Sequence, residues 1–234
     1  EGCSNACAYC VIPKIRGKYR SRRMEDIIAE AKRLVLSGVV ELVLVAQDTT
    51  RYGKDLYQKP MLVPLIKEIS KIGGLKSIRL HYLYPELIDD GLISEIKENP
   101  LVENYVDVPI QHISTRLLKK MRRRSTGDQI RALIDRLRDT IPNVVIRTSV
   151  IVGLPTETEE EFEELCQFLK SARLDRVGVF KYSPEEGSEA FDFPQLDEDV
   201  KDRRYEVLFD ICQRNLDELN AERVGKRYKV LVEG

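Results

Sequence analysis

Glu1-Gly2-Cys3-Ser4-Asn5-Ala6-Cys7-Ala8-Tyr9-Cys10 opens the sequence and gathers three of its five cysteines at C-x3-C-x2-C spacing. Thiolates so spaced can converge on one metal centre. A closed structural zinc site takes four protein ligands. Here no fourth cysteine or histidine stands nearby, since the two histidines are His81 and His112. Three thiolates on a four-iron cluster would leave one iron open to a further ligand. The spacing also differs from the C-x2-C-x2-C run of bacterial ferredoxins and from the C-x2-C pairs of zinc ribbons. The reading without chemistry is a chance set of structural thiols or a zinc knuckle. Tyr9, just before the third cysteine, is aromatic.

Working outward, Val11 to Arg23 follows, with six basic residues between Lys14 and Arg23. A helix is expected from Met24, where Ile27, Ile28, Ala31, Leu34 and Val35 share a face and Gly38 ends it. Val39–Ala46 is almost wholly apolar, as a strand buried on both faces would be. The alternation then repeats. Helices are expected near Leu62–Ile72, Glu86–Lys97, Ser114–Met121, Gly127–Thr140, Glu159–Ala172 and Asp197–Ala221. Strands are expected at Lys76–Tyr82, Asn104–Ile110, Val144–Val152 and Arg176–Tyr182. Thr158-Glu159-Glu160-Glu161 reads as a capping box. Cys166 and Cys212 fall on apolar helical faces and read as core residues.

Such alternation builds parallel βαβ units with right-handed crossovers. The five visible strands, with a sixth ahead of Glu1 mostly cut off, predict an α/β fold, a partial parallel (β/α)6 barrel. In barrels chemistry gathers in the loops after strand C-termini. Those loops hold residues a plain connector does not need: Gln47-Asp48, His81-Tyr82, Gln111-His112, Gly153-Leu154-Pro155 and Tyr182-Ser183-Pro184. Each histidine there reads as a structural hydrogen-bonding group at least as well as a proton shuttle, and no catalytic residue is assigned. Arg223–Gly234 alternates like a β-strand and predicts the opening of a further module after a 1–222 core.

Composition fits this reading. The chain has 234 residues, 42% hydrophobic and 33% charged, which is that of a folded soluble domain. A net charge of −1 provides no global attraction to nucleic acid or membrane, and no apolar run approaches the roughly 18 residues of a membrane span. The cysteine usage suits a reducing cytoplasm. Opening on Glu-Gly, the sequence reads as an excised fragment.

At Cys3, Cys7, Tyr9 and Cys10 the chain resembles the radical S-adenosylmethionine superfamily, whose signature is a C-x3-C-x-(aromatic)-C loop after the first barrel strand. The resemblance implies a radical-SAM barrel with a 4Fe-4S cluster on Cys3, Cys7 and Cys10. S-adenosyl-L-methionine is then chelated at the open iron and cleaved by one electron to a 5′-deoxyadenosyl radical. It places Tyr9 beside the adenine and Gln47 and Asp48 near the methionine amino group. Gly153 and Pro155 match its Gly-x-Pro segment, and Arg147 is a candidate for the cofactor carboxylate. The Gly-Gly-Glu motif that many members carry after the second strand is not present here.

Further segments resemble the methylthiotransferase family: Pro13, Arg16-Gly17, Arg20-Ser21-Arg22, Pro109-Ile110-Gln111, Met121-Arg122-Arg123 and Ile151–Thr158. By this resemblance Arg223–Gly234 begins a TRAM-like module. Full-length members also carry an N-terminal domain with three more cysteines and a second cluster, a domain absent from this fragment. Ala46–Gly53 resembles the branch that adds a methylthio group to the β-carbon of an aspartate in a small-subunit ribosomal protein, the twelfth. A tRNA-modifying core is the alternative, and a non-catalytic metal-binding module the alternative of another class. The implied partners are the ribosomal protein, an external electron donor, and rRNA or tRNA at the basic stretches Lys14–Arg23 and Lys119–Arg124.

Overall fold

The structure, a computed structural model, describes residues 1–228, 230 and 231. After the cysteine loop the elements run α1 (Ile12–Ile15), α2 (Met24–Leu36), β1 (Glu41–Leu44), α3 (Leu62–Ile69), β2 (Ser77–Leu80), α4 (Asp90–Glu98), β3 (Val102–Asp107), α5 (Thr115–Lys120), α6 (Gly127–Thr140), β4 (Val145–Val152), α7 (Glu159–Ala172), β5 (Arg176–Lys181) and α8 (Glu198–Arg223). The five strands form one parallel sheet in the order β1-β2-β3-β4-β5. When each parallel strand lies beside its predecessor and every crossover is right-handed, all the helices fall on one face. That is the layout of an opened barrel.

The helix-covered face holds the core. Ile78, Leu80, Val106, Ile146, Val150 and Val152 are all at most 1% exposed and pack against Ile66, Ile96, Leu137 and Leu165 of the helices. Cys166 and Cys212 join this packing, and burial pushes their thiols up to about 11 and about 12, so both are inert core residues. The opposite face is polar. Arg79 of β2 pairs with Glu41 of β1 at 2.7 Å and lies over the Tyr105 ring of β3. Arg147 of β4 pairs with Asp107 of β3 at 3.0 Å.

Three expectations are corrected. Val39–Ala46 is not buried on both faces: β1 is an edge strand, and Val43 and Val45 are 44% and 63% exposed beside a cavity of ≈340 Å³. The third strand begins and ends earlier than Asn104–Ile110, because Pro109 has no N–H to continue a ladder. Val224–Tyr228, Val230 and Leu231 form no strand, since an alternating segment needs a partner strand to pair with. Lys229 and residues 232–234 of the expected module lie outside the described residues. The strand expected ahead of Glu1 lies outside this sequence.

Local chemistry explains the best-placed helices. Both α6 and α7 open on a complete capping box, Thr126 with Gln129 and Thr158 with Glu161. Glu161 does more than cap. Its carboxylate accepts bonds from Ser114 Oγ at 2.6 Å and from both Nε and a terminal nitrogen of Arg116, at 2.9 and 2.5 Å. This ties the start of α7 to the start of α5. Burial opposes the charge, but the Arg116 guanidinium and the Ser114 hydroxyl outweigh it and hold the carboxyl at about 2.

A depressed folded-state pKa contributes stability that is present above the unfolded value of roughly 4.3 and lost as pH falls through the folded one. Glu161→Gln therefore lowers the melting temperature at pH 7. The gap from the parent narrows between about pH 4.3 and pH 2. A gap independent of pH over that window would mean that Glu161 acts by shape alone.

Candidate metal and cofactor site

The cysteine loop lies across the ends of the strands and is held from several directions. Gly2 turns it at φ +74°, where an added Cβ would stand 2.3 Å from the Lys18 carbonyl oxygen. Arg20 N–H donates to the Glu1 carbonyl and Cys3 N–H to the Gly17 carbonyl, so the basic stretch returns alongside the loop. Ala8 is clamped between the Met121 carbonyl, to which it donates, and Ala190 N–H, from which it accepts. The thiols of Cys3, Cys7 and Cys10 are all free, the first two buried and the third half-buried. Burial pushes Cys3 and Cys10 upward, and the nearness of Cys7 adds to both.

Asp48, in the loop after β1, anchors the cysteine loop. Its side chain is fully buried. One oxygen accepts from Thr50 Oγ1 at 2.6 Å; the other accepts from Arg51 Nε at 2.8 Å and Asn5 Nδ2 at 2.9 Å. Arg51 in turn donates to Asn5 Oδ1 at 2.8 Å. The Asn5 amide, between the first two cysteines, is thus gripped at both ends by one ion pair. With both oxygens engaged, Asp48 faces the loop rather than open space. Its neighbour Gln47 has a buried Oε1 with no hydrogen-bond partner.

A second buried carboxylate organises the far side. Glu157 accepts from His112 Nε2 at 3.0 Å on one oxygen. On the other it accepts from Gly153 N–H at 2.6 Å and Arg204 of α8 at 2.7 Å. Ser114 N–H donates to His112 Nδ1, which leaves Nε2–H to face Glu157. Gly153 holds φ +73°, and an added Cβ would meet the Lys201 Cγ at 2.5 Å. Pro155 is buried beside it. Tyr82, Gln111 and Thr156, each after a strand, hold φ of 56°, 70° and 67°, a left-handed backbone that costs a non-glycine residue of order 1 kcal/mol or more.

The remaining candidates are less enclosed. Tyr9 is half-buried against Leu117, Met121 and Leu154, and burial pushes its hydroxyl well above the usual range. The side chain of Arg147 is 34% exposed on the helix-free face, with its charge balanced by Asp107. His81 lies beside that pair, its Nδ1 3.8 Å from Asp107 and its buried Nε2 without a partner. Burial lowers its pKa, which favours the neutral ring. Cys7 and Cys10 border a cavity of ≈610 Å³ whose opposite wall is the Glu186–Asp192 loop.

Three free thiols on one loop, Cys3, Cys7 and Cys10, are the kind of donor set that an iron–sulfur cluster takes, whereas a closed zinc site would need a fourth protein ligand. Arg123 adds a second sign. It is buried at 7% exposure, its guanidinium reaches 4.0 Å from Cys7 Sγ, and among the described residues no carboxylate pairs with it. Asn5, Arg51, Arg123 and Glu157 were not singled out as site residues from the sequence. Their signal, charged or amide side chains flanking motif residues, is shared by many surface positions.

Residues 1–169 match the model of the radical SAM superfamily. The ribosomal protein uS12 methylthiotransferase RimO of Caldicellulosiruptor saccharolyticus is 50% identical over 234 residues, covering 100% of this chain and 53% of that protein. The protein of the same name from Thermoanaerobacter sp. (strain X514) is 52% identical, over 100% and 54%. The chain therefore spans about half the length of the curated relatives it matches. Among solved structures, the radical S-adenosylmethionine methyltransferase TsrM from Kitasatospora setae, with cobalamin and a [4Fe-4S] cluster bound, superposes with a TM-score of 0.62 at 18% identity. That match covers 77% of this chain and 35% of the other and shows the shared fold.

Removing one partner of a buried ion pair strands the other charge and costs about 3–5 kcal/mol. Glu157→Ala lowers stability in urea titrations by less than that amount, because Glu159 remains 3.0 Å from Arg204. Adding Arg204→Met recovers part of the loss. No recovery in the double variant would show that Glu157 acts through Gly153 and His112 rather than by neutralising Arg204.

Proposed function

The chain belongs to the radical SAM superfamily, and from that membership we propose that it is the radical core of a methylthiotransferase. Its substrate is an aspartate of ribosomal protein uS12, which gains a methylthio group at its β-carbon. The observation that carries this reading is identity of 50% and 52%, over the whole chain, to two proteins named for that activity. We assign residues 1–222 to the core and read Arg223 onward as the start of a TRAM-like module. Among the described residues no helix is long and apolar enough to cross a membrane, which fits a cytoplasmic site of action on the ribosome.

Cys3, Cys7 and Cys10 would hold the four-iron cluster and leave one iron for the amino and carboxylate groups of S-adenosylmethionine. Bound together, the cluster and S-adenosylmethionine supply the one-electron chemistry that removes a hydrogen from the substrate carbon. The protein's share is placement and exclusion. Tyr9 provides an aromatic edge for the adenine. Gln47, whose Oε1 lacks a partner, is suited to accept from the methionine amino group. Arg147 can exchange part of its pairing with Asp107 for a carboxylate. Gly153 and Pro155 bring a side-chain-poor backbone up to the cofactor. Asp48 positions the cysteine loop through Asn5 rather than touching the cofactor. An external one-electron donor completes the cycle.

The test uses the full-length protein, reconstituted anaerobically with iron and sulfide. Expected are about four irons per radical core, 5′-deoxyadenosine from S-adenosylmethionine after reduction, and a mass gain of one methylthio group on the uS12 aspartate. Cys7→Ala loses the core's iron and the cleavage. Cleavage with methylthiolation of tRNA and none of uS12 would keep the radical core and overturn the substrate. Iron without any cleavage would overturn the chemistry.

A further inference from the structure

We propose that Arg123 is the fixed counter-charge of the cysteine-bound cluster and makes the cluster easier to reduce. This rests on the cluster reading above. Arg123 follows α5 and is held on three sides. Its guanidinium carbon lies 4.5 Å from the Tyr84 ring centroid, one terminal nitrogen donates to the Pro109 carbonyl at 2.8 Å, and the other stands 4.0 Å from Cys7 Sγ. A ring face and a carbonyl offer partial charge only.

Other enclosed arginines, the buried Arg204 and the half-buried Arg51, are treated differently. Arg204, 3% exposed, pairs with Glu157 at 2.7 Å and Glu159 at 3.0 Å, and Arg51 pairs with Asp48 at 2.8 Å. Arg122, next in sequence, pairs with Glu189 at 2.6 Å. Among the described residues no carboxylate oxygen lies within 4.0 Å of Arg123. Glu86 acts on it only from beyond ion-pair distance, and a buried charge so weakly answered is an unfavourable arrangement in a folded protein. The anion that answers it belongs where Arg123 points, at Cys7.

A four-iron cluster on three thiolates supplies that anion. Three thiolate charges outweigh the two positive charges of the oxidised core, leaving one net negative charge. One electron, taken from an external reductant, brings it to two. A fixed cation stabilises the doubly negative state more than the singly negative one, by Coulomb attraction in a site shielded from water. Hydrogen bonds and charge around the sulfurs are established levers on cluster potentials. Cys3 receives a backbone N–H from Asn5 at 3.4 Å. At Cys7 the donor instead carries a full charge.

The experiment compares the full-length parent with Arg123→Met and Arg123→Lys, each reconstituted anaerobically. Iron and sulfide are assayed, and the reduced cluster is followed by electron paramagnetic resonance through a redox titration. Arg123→Met is expected to load the cluster but to shift its reduction equilibrium about tenfold toward the oxidised form, about 59 mV for one electron. Arg123→Lys recovers most of that shift. In the unloaded proteins Arg123→Met melts higher than the parent, because it removes a stranded charge; an arginine with a purely structural role would make it melt lower.

An unchanged midpoint in a fully loaded Arg123→Met overturns the proposal. So does a lower melting temperature of its unloaded form, which decides the matter even if that variant fails to load. Weakened S-adenosylmethionine binding at an unchanged midpoint also overturns it and gives Arg123 to the cofactor carboxylate. A parent protein that holds no four-iron cluster removes the cluster reading, and the counter-charge with it, before any variant is compared.

Discussion

A buried carboxylate without enough donors cannot survive in a folded protein, and two of them, Asp48 and Glu157, bind this site into one piece. A parallel sheet leaves all its strand-end loops on one side, where irregular backbone must be satisfied without help from the ladder. Asp48 solves this for the cysteine loop by gathering Thr50, Arg51 and Asn5. Glu157 solves it for the loop after β4 by gathering His112, Gly153 and Arg204. The left-handed residues Tyr82 and Gln111 are each held on both sides, Tyr82 by Thr49 N–H and Asp107, Gln111 by the Ser149 carbonyl and Ile151 N–H, which makes their backbone tolerable.

The same network joins elements far apart in sequence. Glu157 reaches 47 positions along the chain to Arg204, and Asp48 reaches 43 back to Asn5. Lys201, buried at 1% exposure, lies over Gly153 with its ammonium on Glu198 and over the Tyr182 ring. The last helix is therefore part of the site's wall, not a trailing appendage. Its placement depends on the glycine that leaves room for the lysine stem.

Much of the frame was legible in the sequence where one local rule decided the outcome. The capping box at Thr158 marked the start of α7, and apolar periodicity placed α6 and the other long helices within a few residues of their observed bounds. Strand edges were less legible. An apolar run such as Val39–Ala46 reads alike whether covered on two faces or standing at an edge, because neighbours decide which. The cysteine loop was legible from its spacing. Arg123 was not, because Met121-Arg122-Arg123-Arg124 is a run of like charge, and only its folding back beneath Tyr84 separates the buried arginine from its exposed neighbours. Asp48 was noticed, but not its bonds to Asn5, Thr50 and Arg51, since sequence cannot show which groups a buried carboxylate gathers.

The charge runs change meaning in the same way. Lys14–Arg23 and Lys119–Arg124 read as basic stretches open to rRNA or tRNA, while Glu185–Asp199, distant in sequence, is rich in acidic side chains. In the fold they meet. Lys14 donates to the Gly187 carbonyl, Arg122 pairs with Glu189, and Lys120 lies over Phe193. These contacts draw the Glu186–Asp192 loop against the cavity that Cys7 and Cys10 border. A nucleic-acid backbone would have to displace them, each exposed pair being weak alone and screened by salt. The basic residues nearest the cysteines are thus partly committed to shaping the wall of the site. Attraction toward phosphate is left to Arg16, Lys18, Arg20, Lys119 and Arg124, which are exposed.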